Sequence, residues 1–301
     1  MEMSFTKDDL AALESLKGKQ NAIREAVTEL VHGYHTGLFL WGEGGLGKSF
    51  IVQQTLEEMR AHTKLHNTRM SAKGLIDVLE EFPSHIHWIE DAESLMDDKK
   101  ALGVLRSACW SQSKKRPPER MVTWTASRVR IEFMFTGGIL VISNCNLADA
   151  SPELRAIKTR VMVLHVDLDQ AEVVALMKEI CQAGFVMYPD QMTPSECWQV
   201  AKFIFQKLHS LQRSLDLRLL KHGFSHYLAC RDGVTSSWQN MLEMRMTERV
   251  RSFKSRVTQG MENSAIAETI RQAGGTQGEQ VRAWHKKTGR GKSAYYRALG
   301  R

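Results

Sequence analysis

The residues best suited to chemistry occupy positions 37–49, Gly-Leu-Phe-Leu-Trp-Gly-Glu-Gly-Gly-Leu-Gly-Lys-Ser, where an apolar run empties into a loop of the form G-x-x-x-x-G-K-[ST]. Such a loop binds phosphates. Gly42, Gly44, Gly45 and Gly47 let the backbone curl with its N–H groups turned inward, and a helix starting near Lys48 adds its positive N-terminal end. Lys48 is expected to reach the β- and γ-phosphates of a nucleotide and Ser49 to ligate Mg²⁺, with Glu43, Leu46 and Phe50 belonging to the same binding segment. The apolar strand before the loop and the amphipathic stretch Phe50–Arg60 behind it supply the strand-loop-helix context that this chemistry needs.

A bound Mg·ATP also needs a carboxylate at the end of a neighbouring strand and a second group to orient or deprotonate the attacking water. Glu90 and Asp91 end the apolar run His85-Ile86-His87-Trp88-Ile89 and can supply both. Asn144 follows the fully apolar Ile139-Leu140-Val141-Ile142 and is positioned to bond the γ-phosphate or that water. No zinc site is readable: the five cysteines form no C-x-x-C pair, and His222 and His226 share a helix face at i, i+4 without a third ligand.

The elements that must hold these groups alternate. Helical spacing over residues 8–36 precedes the strand Leu38–Trp41, and a short extended piece near Leu65–Met70 precedes a helix from about Ser71. A helix is expected from Asp97 through Trp110, and the alternation of Met121–Phe135 reads as a β-hairpin. Strands at Ile139–Ile142 and Val161–Val166 follow, and strands separated by helices imply a parallel sheet. After Asp169 helices alone are expected, at about 169–182, 193–210, 214–231 and 235–259, and three short ones follow at 264–273, 277–288 and 292–299. The domain reading is 1–168 for the nucleotide-binding domain, 169–258 for a helical lid and 259–301 for a small C-terminal module.

The net charge of +7 is unevenly spread. Residues 245–301 carry 13 Lys/Arg against 4 Asp/Glu, and residues 99–130 carry 9 against Glu119 alone, so two basic segments sit on an acidic body. That arrangement favours a polyanion partner, most simply DNA. With no signal-like or membrane-length apolar run and dispersed cysteines, a cytoplasmic protein without membrane association is expected.

Over roughly residues 20–230 the sequence resembles the AAA+ ATPase family. Gly42–Ser49 looks like its Walker A, and Ile86-His87-Trp88-Ile89-Glu90-Asp91 looks like its Walker B with the two acids exchanged in type. The resemblance implies an α/β fold with a three-layer parallel-sheet core and an α-helical lid, binding ATP and Mg²⁺. Glu90 would take the metal role, Asp91 the water-activating role and Asn144 that of sensor 1. Arg160, with Arg155 as the alternative, would be the finger that completes a neighbouring subunit's site, and Arg218 would be sensor 2. A finger implies a homo-oligomer, with a ring among the arrangements it allows. The hairpin Met121–Phe135 resembles the pre-sensor 1 hairpin of DNA-handling branches and carries Arg128 and Arg130 near its tip.

In the C-terminal segment Ile266, Ile270, Val281, Trp284 and Leu299 can form a small core, and Gly289 falls where a helix-turn-helix requires its turn. The second helix would expose Lys292, Ser293, Tyr296 and Arg297, with Lys286, Lys287 and Arg290 on phosphates. The combined expectation is a Mg²⁺-dependent, oligomeric ATPase of a phage, plasmid or transposon type. It would act on DNA in replication initiation, helicase loading or transposition control, with a possible protein partner in those processes. The alternatives are a DNA-binding regulator that binds ATP with little turnover, or a protein-remodelling ATPase.

Overall fold

The computed structural model describes residues 4–45, 47–67, 70–90, 93–126, 129–144, 152–211, 215–247, 256–288 and 291–299. The chain opens with α1 (Lys7–Val31), β1 (Gly37–Trp41), α2 (Lys48–Glu58), β2 (Thr63–His66), α3 (Ala72–Glu81) and β3 (Ile86–Glu90). It continues through α4 (Glu93–Met96), α5 (Lys99–Cys109), β4 (Arg120–Ala126), β5 (Val129–Phe135), β6 (Gly138–Ser143), α6 (Pro152–Lys158) and β7 (Met162–His165). The helical part follows with α7 (Gln170–Ala183), the strands β8 (Phe185–Met187) and β9 (Asp190–Met192), α8 (Pro194–Leu211), α9 (Leu217–Arg231) and α10 (Trp238–Thr247). Last come α11 (Arg256–Gln272), α12 (Gln277–Thr288) and α13 (Lys292–Ala298).

Among the described residues, five strands form one parallel sheet in the order β2-β3-β6-β1-β7. The period of two along each strand sends Phe39, Ile89, Ile139 and Val141 to one face, where they meet α3 and α5, and Leu38, Leu40, Trp88, Leu140 and Ile142 to the other, where they meet α1 and α2. This is the α/β, three-layer core expected from the alternation of strands and helices. All five strands run the same way, so the sheet has a C-terminal edge carrying the loops after β1, β3 and β6, and an N-terminal edge carrying Thr36, Gly137 and Arg160.

Helix α1 starts at a capping box, in which Thr6 Oγ1 accepts from the Asp9 N–H at 3.1 Å and Asp9 Oδ2 accepts from the Thr6 N–H at 2.8 Å. Its C-terminal half packs on the sheet through Ile23, Ala26, Val27 and Leu30, while Leu13 and Leu16 enter the core of the helical unit. Polar ties reinforce that second contact. Lys178 Nζ lies 2.6 Å from Asp9 Oδ2 with both side chains largely buried, and Glu172 takes Ser15 Oγ and Lys19 Nζ at 2.7 Å each. These bonds hold the carboxyls of Asp9 and Glu172 below their usual range against the opposing effect of burial.

The expectation of helices alone after Asp169 is corrected by the β8–β9 hairpin. Each strand has three residues, too few to leave a periodic signal, yet Phe185 packs at 4.8 Å from Phe224 and Met192 is buried. Of the helix expected over 235–259, α10 covers Trp238–Thr247 and residues 248–255 lie outside the described residues; α11 runs unbroken from Arg256 to Gln272 and so joins the end of that stretch to the helix expected at 264–273. Helices α11–α13 enclose their own small core of Ala267, Ile270, Trp284 and Tyr295. Among the described residues no helix is long and apolar enough to cross a membrane.

Candidate nucleotide site

At the C-terminal edge of the sheet, the loop after β1, the ends of β3 and β6 and the start of α9 enclose a cavity of about 480 Å³. Gly45, Gly47, Lys48, Ser49, Phe50, Glu90, Ile142, Asn144, Leu217, Arg218 and Lys221 line it. The grouping follows from topology, because β1 lies beside β6, which lies beside β3, so the three strand ends fall next to one another. Helix α9 brings its N-terminus over the loop, with Asp216 Oδ1 accepting from the Arg218 N–H at 2.8 Å.

Two glycines report how closely the surrounding groups approach. A Cβ on Gly44 would lie 3.3 Å from Arg218 Nη1 and 3.6 Å from Asn144 Oδ1, so both side chains converge on that point of the loop. Gly45 has φ +80°, and a Cβ there would collide with the Asp216 carboxylate. The loop is therefore shaped in part by the helical unit above it.

Lys48 is buried, 5% exposed, and its ammonium donates to the carbonyls of Gly42 at 3.0 Å and Glu43 at 2.6 Å. Burial first, and the nearby Arg218 guanidinium second, lower its pKa to about 8, while Glu43 opposes the shift. An anion in the cavity would oppose this shift by stabilising the charged ammonium. Glu90 Oε1 is buried and meets no hydrogen-bond partner among the described residues, on the same cavity wall as Ser49. A free carboxylate oxygen beside a hydroxyl, both hard oxygen donors, suits Mg²⁺, so Ser49 and Glu90 are the residues that would hold it.

His87, the unusual residue in the strand that leads to Glu90, has a structural partner set. Its Nε2–H donates to the Phe82 carbonyl at 2.9 Å, which leaves Nδ1 to accept from His66 Nε2–H at 3.1 Å. The ring thereby ties β3 to β2 and to the end of α3, and burial drives its pKa down to about 4.

The remaining expected site residues fall in several places. Phe50 is exposed at the cavity mouth, and Glu43 meets Lys48 through its backbone oxygen. Leu46, Asp91, Arg128 and Arg290 lie outside the described residues. Arg160 stands at the N-terminal edge of the sheet, away from its own chain's nucleotide cavity, with its guanidinium turned back onto the Ala156 carbonyl. Arg155 is exposed on α6. Arg130 is exposed and paired with Glu132 at 2.6 Å.

Lys286 and Lys287 are exposed in the last turn of α12, and Lys292, Ser293 and Arg297 are exposed on α13. Tyr296 departs from its expected place on the open face. It is half-buried, packs against the module's core and reaches Gln277 at 3.5 Å, because the adjacent Tyr295 fills the centre beside Trp284 and draws the helix inward. Sequence reasoning also missed Asp216 and Lys221. Lys221 stands three residues after Arg218, on the same helix face, and that spacing was a usable signal; nothing local marked Asp216.

Comparison with known proteins finds no matching family model and no matching curated relative. Among solved structures the chain is similar to the Thermotoga maritima RuvB Holliday junction branch migration motor, at 14% identity over 95% of this chain and 87% of that one, with a TM-score of 0.46. A variant of Thermotoga maritima RuvB is similar at 15% identity, over 90% of this chain and 80% of that one, again with a TM-score of 0.46.

Proposed function

We propose that this chain is a Mg²⁺-dependent ATPase that assembles as a homo-oligomer and acts on DNA. The convergence of Lys48, Ser49, Glu90, Asn144 and Arg218 on one cavity at the C-terminal edge of a parallel sheet carries the reading. The loop amides and Lys48 neutralise the phosphates, Ser49 and Glu90 hold the metal, and Asn144 orients the γ-phosphate or the attacking water, with Asp91 as its base. Arg218, at the start of α9, links the nucleotide to the helical unit, so that unit senses whether phosphate is present.

Arg160 acts in this reading on a neighbouring copy. Parallel strands put it at the opposite sheet edge, roughly 17 Å from its own phosphate loop for a five-residue strand. DNA enters through the basic segments. The C-terminal module serves as a helix-turn-helix that presents Lys286, Lys287, Lys292, Ser293 and Arg297 to it, consistent with their exposure. Replication initiation, helicase loading and transposition control are the processes this combination suits.

Steady-state ATP hydrolysis with and without single-stranded and duplex DNA tests the proposal. We expect turnover that rises with DNA, disappears in Lys48→Ala, and falls non-additively when Lys48→Ala and Arg160→Ala chains are mixed. DNA-independent turnover of strictly additive mixtures overturns the shared-site reading. ATP binding without turnover in the presence of DNA favours the regulator instead.

A further inference from the structure

A second cavity, of about 640 Å³, opens at the N-terminal edge of the sheet between the end of α5 and the start of β4. Arg106, Trp110, Ser111, Glu119 and Arg120 line it, with Arg160 at its rim. Its electrostatics are unbalanced. Arg120 is only 3% exposed, one nitrogen of its guanidinium donates to the Gly137 carbonyl, and the group lies 4.8 Å above the Phe135 ring. Its Nε and Nη1 are shut off from solvent and meet no acceptor among the described residues, so the group acts on the cavity through its charge rather than by direct contact. Burying a guanidinium with idle donors is costly unless an anion answers it. The one acid on the cavity wall is already engaged, since both oxygens of Glu119 take Lys115 Nζ at 2.9 Å. Burial lowers the pKa of Arg120 to about 10, which still leaves it a cation at neutral pH.

The aromatic wall narrows the ligand. Trp110 is 49% exposed where α5 ends, so a large aromatic surface stands open on the same cavity as Arg106 and Arg120. A bare phosphate makes no use of that ring, and a base inside a duplex cannot reach it; an unpaired base can. Lys114 and Arg116 are exposed on the loop that follows and continue the positive surface beyond the cavity.

We propose that this cavity binds one nucleotide unit of a single-stranded nucleic acid, its phosphate held by the exposed Arg106 with the buried charge of Arg120 behind it, and its base stacked on Trp110. The inference rests on the nucleic-acid part of the proposed function and not on the ATP cavity. It gives the basic segment 99–130 a binding role separate from the C-terminal module.

The test is fluorescence anisotropy of a labelled oligothymidylate titrated with the full chain, Trp110→Leu, Arg106→Gln, Arg120→Met, and Lys286→Gln with Lys287→Gln. Trp110→Leu and Arg106→Gln, both at exposed positions, are each expected to weaken binding about tenfold, and Arg106→Gln to reduce the salt slope by about 0.7. Their ATP affinity should stay at the parent value. Arg120 is buried, so Arg120→Met counts only if its thermal unfolding remains cooperative, and the two exposed variants decide the matter without it. Thymidine monophosphate should compete for the cavity better than inorganic phosphate. Equal competition by the two, together with an unaffected Trp110→Leu, reduces the cavity to a simple anion site and overturns the proposal. Oligothymidylate binding that weakens only in the C-terminal variant overturns it as well, while leaving the proposed function standing. No binding of single-stranded or duplex DNA by any form of the chain overturns both.

Discussion

The two edges of the sheet collect positive charge in different ways. At the C-terminal edge the Lys48 ammonium donates to the Gly42 and Glu43 carbonyls, and glycine backbone provides the rest of the cradle. At the N-terminal edge Arg120 keeps two buried guanidinium nitrogens without acceptors among the described residues, and its neighbours are side chains contributed by α5, the following loop and β4. The first site is preorganised by one continuous loop. The second is assembled from separate elements and depends on an incoming anion for balance. A mutation at the first should therefore abolish a defined chemistry, whereas a mutation at the second should grade an affinity.

The largest expected effect is at the first edge. Lys48→Ala should lower ATP turnover at least about 100-fold in a steady-state assay, because it removes the one cation that the loop places within reach of the phosphates. Arg218→Ala, acting from the helical unit, should cost about 1.5 kcal/mol of nucleotide affinity, roughly tenfold, by equilibrium titration. If Arg218→Ala matches the parent, the helical unit does not read the nucleotide. Gly45→Ala should lose about 1–2 kcal/mol in chemical denaturation, since φ +80° is unfavourable for alanine and the Asp216 carboxylate must move.

Smaller effects follow from pH. The pKa of Lys48 is depressed to about 8 from 10.5, so nucleotide affinity should fall as pH rises through 8, with the lysine losing its charge. The stability of the nucleotide-free protein should show the opposite trend. Between 8 and 10.5 its unfolded state holds the proton that the folded state has released, so the Lys48 contribution to stability rises with pH. His87 acts on the acid side. Its folded pKa of about 4 against 6.5 makes stability fall as pH drops through that window, and His87→Gln should flatten the fall in thermal unfolding.

Which of these features could be read from sequence depended on how local they were. The loop Gly42–Ser49 and the strands around it were legible because the chemistry and its supports are contiguous, and hydrophobic runs of four or five residues sufficed to mark β1, β3 and β6. Asn144 could be assigned a place because a strand end in a parallel sheet has a predictable edge. Asp216 was not legible: its contact with Gly45 spans 171 positions and is created by the docking of α9. The β8–β9 hairpin was too short for its period to register. Trp110 reads as the end of a helix and Arg120 only as part of the basic segment 99–130, since nothing in their spacing says that they face one cavity.

The central claim is that the C-terminal edge of the sheet is a Mg·ATP site, and calorimetric titration of ATP into the chain, with and without Mg²⁺, tests it most directly. Saturable binding is expected, lost in Lys48→Ala and strengthened by Mg²⁺ in the parent but not in Glu90→Ala. Binding that survives Lys48→Ala, or a Mg²⁺ effect that persists in Glu90→Ala, would contradict the account.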